Sequence, residues 1–148
     1  VQVTLGLRPQ LSAEVRESAQ AAYANTTLAR VDCVDALARL DALMQSERLY
    51  VDPDLSLAGL AARLGLSTHQ LSELVNSRLG KGFSRYLRER RIDAAKAMLL
   101  AEPKASVLSV GLSVGFTSQS NFYEAFREIE GSTPGQYRKL HTPAASAT

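Results

Sequence analysis

The sequence lacks the features that stabilise secreted proteins or anchor proteins in membranes. Its 148 residues include one cysteine, Cys33, which excludes an internal disulfide framework and favours a reducing compartment. There is no run of about eighteen apolar residues, so no membrane span is expected within the chain. No signal segment is recognisable, and the chain starts at Val1 rather than Met, which suggests a fragment of a longer protein.

Patterns typical of β-strands are also absent. Tryptophan does not occur, and no segment alternates convincingly between apolar and polar residues. Hydrophobic residues make up 45% of the chain, mostly Leu, Ala and Val, which suits helices. The length allows one domain or two small ones. We therefore predict an all-α fold.

Signatures of catalysis and metal binding are missing as well. The two histidines, His69 and His141, are far apart, and no motif surrounds Cys33. Neither a phosphate-binding loop nor a metal-ligand spacing occurs. We therefore expect no enzyme, no catalytic residues, no metal site and no cofactor.

A pattern that occurs twice, about fifty residues apart, is the most informative feature. Each copy reads as a small-residue helix, a glycine, an apolar residue, Ser/Thr and a second short helix. Gly65 and Gly115 align at an offset of fifty, whereas Leu71 and Phe122 align at fifty-one. The second copy thus has one extra residue between its turn and its first buried position. The pattern is typical of a helix-turn-helix, which holds a recognition helix against DNA bases.

The turns contain the residues that a sharp change of direction requires. Gly65 and Gly115 permit a left-handed backbone, and glycine also closes each copy, at Gly80 and Gly131. Hydroxyl side chains follow each turn and are expected to cap the next helix. The candidates are Ser67 or Thr68 in the first copy and Thr117 or Ser118 in the second.

Apolar periodicity and turn residues predict helices along most of the chain. An amphipathic helix over residues 28–48 precedes the repeat, and another is expected at 11–24 with Ser12 as its cap. The remaining predicted helices are 57–64, 68–79, 83–101, 106–114, 118–130 and 134–140. Residues 142–148 read as a disordered tail.

Basic residues are concentrated around the predicted long helix. Residues 78–104 contain eight Lys/Arg and three Asp/Glu, an excess of five positive charges. This excess suits a surface that faces phosphates. A solvated helix face is the alternative reading of the same pattern.

The C-terminal stretch also carries a series of motifs in a fixed order. They are Val114-Gly115-Phe116, Ser118-Gln119-Ser120-Asn121-Phe122, Phe126-Arg127, Gly131-Ser132-Thr133-Pro134 and Tyr137-Arg138. Matching positions in the first half and the linker helix include Leu60-Ala61, Leu64-Gly65, Ser67, Leu71, Gly80, Phe83 and Arg91. Over roughly residues 52–140, the chain resembles the DNA-binding domain of the AraC/XylS family of bacterial transcription regulators.

The resemblance implies seven helices, with the long one joining two helix-turn-helix units. Its recognition helices would enter successive major grooves, about one helical turn apart. The implied domain covers residues 28–141, with the first unit at about 56–80, the linker helix at 83–101 and the second unit at 106–131. Residues 1–27 would be an extension or a linker from a missing domain.

The implied partners are double-stranded DNA and RNA polymerase, in the bacterial cytoplasm at the nucleoid. A homodimer formed through residues N-terminal of this chain, and a membrane-bound sensor domain in the missing part, both stay open. A rival reading is a protein-interaction or dimerisation module with a degenerate helix-turn-helix that binds a partner protein.

The candidate base contacts are the polar positions that remain once the buried ones are subtracted. We expect Leu71, Leu74, Val75, Phe122, Ala125 and Phe126 to face the cores. This leaves Thr68, His69, Ser72, Glu73 and Asn76 on the first recognition helix and Gln119, Ser120, Asn121 and Tyr123 on the second. Asn and Gln side chains suit adenine, and Ser suits any base. His69 is alternatively a plain surface histidine, and Asn121 a structural amide.

Phosphate contacts are predicted for hydroxyl and basic residues near the helix starts and the long helix. They are Ser67, Lys81, Arg85, Arg88, Lys104, Ser118, Arg127 and Arg138. Arg91 matches an internal arginine of the family, so a structural salt bridge is favoured there over a DNA contact.

Three positions depart from the family pattern. Glu73 and Glu124 stand where a basic residue is common, which puts direct base contact by these two acids in doubt. Gly111 stands where alanine is usual, and a glycine there is expected to loosen its helix by about 1 kcal/mol.

Overall fold

The computed structural model describes residues 28–142, and this part of the chain consists of helices and connections without a strand. It contains α1 (Cys33–Gln45), a 3-10 helix (Leu49–Val51), α2 (Leu57–Leu64), α3 (Thr68–Leu79), α4 (Phe83–Ala101), α5 (Val107–Ser113), α6 (Gln119–Glu130) and α7 (Pro134–His141). The prediction of an all-α fold is confirmed. The expected helix at 11–24 and all but the first residue of the expected tail lie outside the described residues.

Most helices begin and end where the sequence predicts. The bounds of α2, α3 and α4 match the prediction to the residue. The prediction for α5 is one residue too long at each end, because Ser106 is its extended N-cap and Val114 follows it as the C-cap. For α6 it is one residue too long at the start, where Ser118 is the extended N-cap.

The prediction for α1 was too long at both ends. The helix begins at Cys33 rather than 28, because the side chain of Asp32 accepts a hydrogen bond from the backbone N–H of Asp35 (3.0 Å) and so caps the first turn. It ends at Gln45, and Arg48 then adopts a left-handed backbone (φ 52°) before the 3-10 helix, which the sequence did not predict.

The described residues divide into two compact units. The first comprises residues 28–39 and 57–82, and so contains the start of α1 together with α2 and α3. Its buried side chains are aliphatic: Leu28, Ala36, Leu60, Ala61, Leu64, Leu71, Leu74 and Val75. Their burial is the main force that holds α2 and α3 together.

The second unit comprises residues 40–56 and 83–142. Here α4 packs against α5, α6 and α7, around a core that contains three phenylalanines: Ile92, Ala95, Leu99, Val110, Val114, Phe116, Phe122, Ala125 and Phe126. The ring of Phe122 lies 5.3 Å from that of Phe116 and 5.8 Å from that of Phe126, centroid to centroid. These rings fix the direction of α6.

Candidate nucleic-acid interface

The turn between α2 and α3 is built by a left-handed glycine and a reciprocal cap. Gly65 has φ 71°, which ends α2 without strain. The Oγ of Ser67 accepts from the backbone N–H of Gln70 (3.0 Å), and the side chain of Gln70 accepts from the backbone N–H of Ser67 (2.9 Å). Ser67 rather than Thr68 is therefore the cap, and Gln70 completes a capping box.

The turn between α5 and α6 follows the same plan with tighter packing. Gly115 has φ 111°, and a Cβ added there would lie 2.3 Å from the carbonyl oxygen of Tyr50. Ser118 is the cap, because its Oγ accepts from the backbone N–H of Asn121 (3.1 Å). Thr117, the other candidate, instead accepts from the side-chain amide of Asn121 (3.0 Å).

The extra residue of the second copy lies in its turn. One residue separates Gly65 from the cap Ser67, whereas two residues separate Gly115 from the cap Ser118. Both recognition helices, α3 and α6, therefore present the same register from cap to core.

The six positions assigned to the cores are all buried, as predicted. The predicted base-contact residues lie outside these cores. Thr68, His69, Asn76, Gln119, Ser120 and Asn121 are exposed, and Ser72, Glu73 and Tyr123 are half-buried. The ring of Tyr123 packs edge-on against Phe122, with centroids 6.3 Å apart, so part of this side chain belongs to the core. Base contact by these residues stays a prediction.

Two of the predicted base-contact residues are held by hydrogen bonds within their own helix or turn. The side-chain amide of Asn76 donates to the backbone carbonyl of Ser72 (2.8 Å), and that of Asn121 to Thr117. No side-chain hydrogen bond involves Gln119 among the described residues. In this part of the chain, the amide of Gln119 is therefore not held by an internal contact.

Several of the predicted phosphate contacts are engaged in ion pairs or helix caps. Arg85 pairs with Glu89 (2.8 Å) and with Glu128 of α6 (3.4 Å), and Arg88 also pairs with Glu128 (3.2 Å). Arg138 donates to the carbonyl oxygens of Leu99 (2.9 Å) and Glu102 (3.1 Å) at the C-terminal end of α4. This capping by Arg138 has no signature in the sequence.

The remaining predicted phosphate contacts differ in exposure. Ser67, Lys104 and Arg127 are exposed, whereas Ser118 and Lys81 are half-buried. Phosphate binding by all eight residues stays a prediction.

Arg91 is internal, as expected, but among the described residues its hydrogen-bond partners are backbone carbonyl oxygens and not a carboxylate. Its side chain is 9% exposed and donates to the backbone carbonyl oxygens of Tyr50 and Asp52, both at 2.8 Å. Desolvation by burial lowers the pKa of Arg91, and the charge of Asp52 partly opposes this shift. Arg91 therefore fastens the 3-10 helix and the residue that follows it to α4.

The glycine at Gly111 is required by packing. A Cβ added there would lie 2.5 Å from Cδ2 and 2.7 Å from Cγ of the fully buried Phe122. Because α5 approaches the aromatic ring this closely, an alanine at this position would collide with it. The expectation that the glycine only loosens its helix did not include this contact.

An open groove of about 380 Å³ flanks α6 within the second unit. It is lined by the end of the turn and by charged side chains, including Thr117, Asn121, Glu124, Glu128 and Arg88. Glu124 thus faces a polar groove beside a candidate reader. Within residues 28–142, no group of three or more His, Cys, Asp or Glu residues could hold a metal ion, and no helix is long and apolar enough to cross a membrane.

Known proteins are similar to this chain in both sequence and fold. A family model described as a helix-turn-helix domain matches residues 60–140. The C-terminal domain of AraT, a response regulator from Geobacillus stearothermophilus, superimposes with a TM-score of 0.66 at 27% identity, covering 73% of this chain and 87% of that one. An AraC-type regulator from Chromobacterium violaceum superimposes with a TM-score of 0.63 at 28% identity, covering 72% and 91%. The chain belongs to the AraC/XylS family.

Other relatives of this AraC/XylS-family chain show what kind of domain it is. The transcriptional activator NphR of a Rhodococcus species is 36% identical over 95 residues, which are 64% of this chain and 28% of NphR. The DNA-binding domain of AdpA, solved with a target DNA, has a TM-score of 0.64 at 27% identity, covering 74% and 94%. The chain is thus a DNA-binding domain of transcription regulators and not an enzyme, and it spans about a quarter of the length of NphR.

Proposed function

We propose that this chain is the DNA-reading part of a transcription regulator and that α3 and α6 each read one short block of base pairs. The observation that carries the proposal is the presence of two capped recognition helices, each fixed by its own buried core. Their polar faces offer adjacent donors and acceptors, as major-groove recognition requires. Residues 28–141 are the proposed extent of this DNA-binding domain.

The basic residues that flank α4 and the capped starts of α3 and α6 have a separate role in the proposal. Lys81 and Lys104, together with the capped helix starts at Ser67 and Ser118, contact phosphates and fix the register of the protein on the duplex. Such contacts carry no sequence information, but they make binding depend on salt because they release counterions.

The whole protein is proposed to regulate transcription in the bacterial cytoplasm, at the nucleoid. The relative that is a transcriptional activator favours activation, which makes RNA polymerase the proposed second partner. Homodimer formation through residues N-terminal of this chain belongs to the same proposal.

Selection of binding sites from random duplex DNA tests the proposal, followed by affinity measurements on the selected sites at two salt concentrations. We expect two enriched blocks. Gln119→Ala should flatten the preference in one block only, whereas Gln45→Ala, at the exposed end of α1, should change neither. No binding even at low salt would contradict DNA reading and favour the protein-partner alternative.

Salt dependence provides the test of the phosphate contacts. Lys104→Ala should weaken binding to all sequences alike and reduce the slope of log affinity against log salt by about one. The matched control is Lys139→Ala, since Lys139 is also exposed and has no proposed contact. Equal effects of the two variants would mean that only the net charge matters.

A further inference from the structure

We propose that Thr117 is a positioning residue, which fixes the side-chain amide of Asn121 for reading a base. This inference deepens the proposed function and rests on it. It assigns a role to the extra residue that distinguishes the second copy of the repeat from the first. It also gives different roles to the third residues of the two recognition helices.

The third residue of each recognition helix is Gln70 in α3 and Asn121 in α6. The side chain of Gln70 accepts a hydrogen bond from the backbone N–H of Ser67, so its carbonyl oxygen is consumed in a capping box. The cap of α6 consists of Ser118 alone, whose Oγ accepts from the backbone N–H of Asn121. The side chain of Asn121 is therefore not needed to cap its helix.

Thr117 provides the contact that replaces the capping box. The Nδ2 of Asn121 donates to the Oγ1 of Thr117 at 3.0 Å. A side-chain amide has two N–H donors and one carbonyl acceptor. When Thr117 takes the N–H that points away from Oδ1, the other N–H and the Oδ1 remain side by side. A donor next to an acceptor is the pair that the N7 and N6 groups of adenine bind in the major groove.

The hydroxyl of Thr117 is carried by a rigid part of the turn. On one side, Phe116 is 6% exposed and packs in the core, and Gly115 approaches the carbonyl oxygen of Tyr50. On the other side, Ser118 caps α6. Thr117 and Asn121 are both exposed. A side chain that is held by such a support loses less freedom when it binds a base, which favours the correct base over others.

The first copy has no residue that could act in the same way. One residue, Leu66, separates Gly65 from the cap Ser67, whereas Phe116 and Thr117 separate Gly115 from Ser118. The inserted residue and the unused amide thus occur together in the second unit, and both are missing in the first.

The test is site selection from random duplex DNA with the wild-type protein and with Thr117→Val, Thr117→Ser and Asn121→Ala. Thr117→Val keeps the shape of the side chain and removes its hydroxyl. It should flatten the preference at the same base position as Asn121→Ala and weaken the preferred site about three- to tenfold. Thr117→Ser keeps the hydroxyl and should retain the preference. The block read by α3 should not change, and the melting temperatures should agree.

The double variant Thr117→Val/Asn121→Ala gives the deciding measurement. If Thr117 acts through Asn121, the double variant should select the same sites with the same affinity as Asn121→Ala. Additive losses, or an unchanged preference in Thr117→Val, would overturn the role of Thr117 while leaving DNA reading intact. A wild-type protein that enriches no sequence would overturn the proposed function itself, and this inference with it.

Discussion

The two helix-turn-helix units share one backbone arrangement but have different side chains in their cores and turns. The core of the first is aliphatic, and its turn is open, since nothing lies within 4 Å of a Cβ added at Gly65. The core of the second holds three phenylalanines, and here Phe122 leaves no room for a methyl group at Gly111, while Tyr50 and Arg91 leave none at Gly115. A repeated motif can thus conserve its backbone while the tolerance to substitution differs between the copies.

The largest expected difference concerns the two turn glycines. Gly115→Ala places its Cβ 2.3 Å from the oxygen of Tyr50 and 2.6 Å from Nε of Arg91, at a φ that L residues rarely adopt. We expect it to reduce the free energy of unfolding by about 2–5 kcal/mol. Gly65→Ala encounters no steric clash, so we expect it to lose only the cost of a left-handed backbone, about 1 kcal/mol of the free energy of unfolding. Urea denaturation of both variants checks this, and equal losses would contradict the contrast between the turns.

A smaller effect is expected inside the second core. Gly111→Ala in an open helix would stabilise by about 1 kcal/mol, but here the methyl group meets the buried ring of Phe122. We expect a loss of about 1–3 kcal/mol instead. The first copy has Ala61 and Leu71 at the equivalent positions.

A double-mutant cycle measures whether these two positions compensate. If the ring is what excludes the methyl group, Gly111→Ala/Phe122→Leu should lose less stability than the sum of its single variants. Additive losses in urea denaturation would show that Gly111 is required for another reason.

The third residues of the recognition helices should differ in their contribution to stability. Gln70→Ala removes one bond of the capping box, which should cost about 0.5–1 kcal/mol. Asn121→Ala removes only an exposed contact to Thr117 and should leave the free energy of unfolding nearly unchanged. Thermal melting of the two variants tests this, and a larger loss for Asn121→Ala would assign it a structural role.

The features that the sequence predicted well are those with local causes. Helix ends follow from glycines, prolines and hydroxyl residues within a few positions, and the six core positions of α3 and α6 follow from helical periodicity. The apolar periodicity does not predict the start of α1 at Cys33. Asp32 lies within the periodic segment, but its side chain caps the helix and so sets where the helix begins.

The features that the sequence did not predict depend on contacts between distant residues. Arg91 binds the carbonyl oxygens of Tyr50 and Asp52, about forty positions earlier, and backbone carbonyls carry no sequence signature. Likewise, Gly111 reads as a weak helix former until the ring of Phe122 is placed against it.

The smallest effect concerns the charges that accompany the second recognition helix. Glu128 on α6 holds Arg85 and Arg88, two predicted phosphate contacts, in exposed ion pairs. Exposed pairs are worth about 0.2–1 kcal/mol, so Glu128→Gln should tighten binding to duplex DNA at most about fivefold. Glu130→Gln, which frees Lys96 and removes the same charge from the same helix, is the control. A greater gain for Glu128→Gln at low salt, shrinking as salt rises, would show that the acid competes with phosphate for these arginines. Equal gains would mean that it acts through net charge alone.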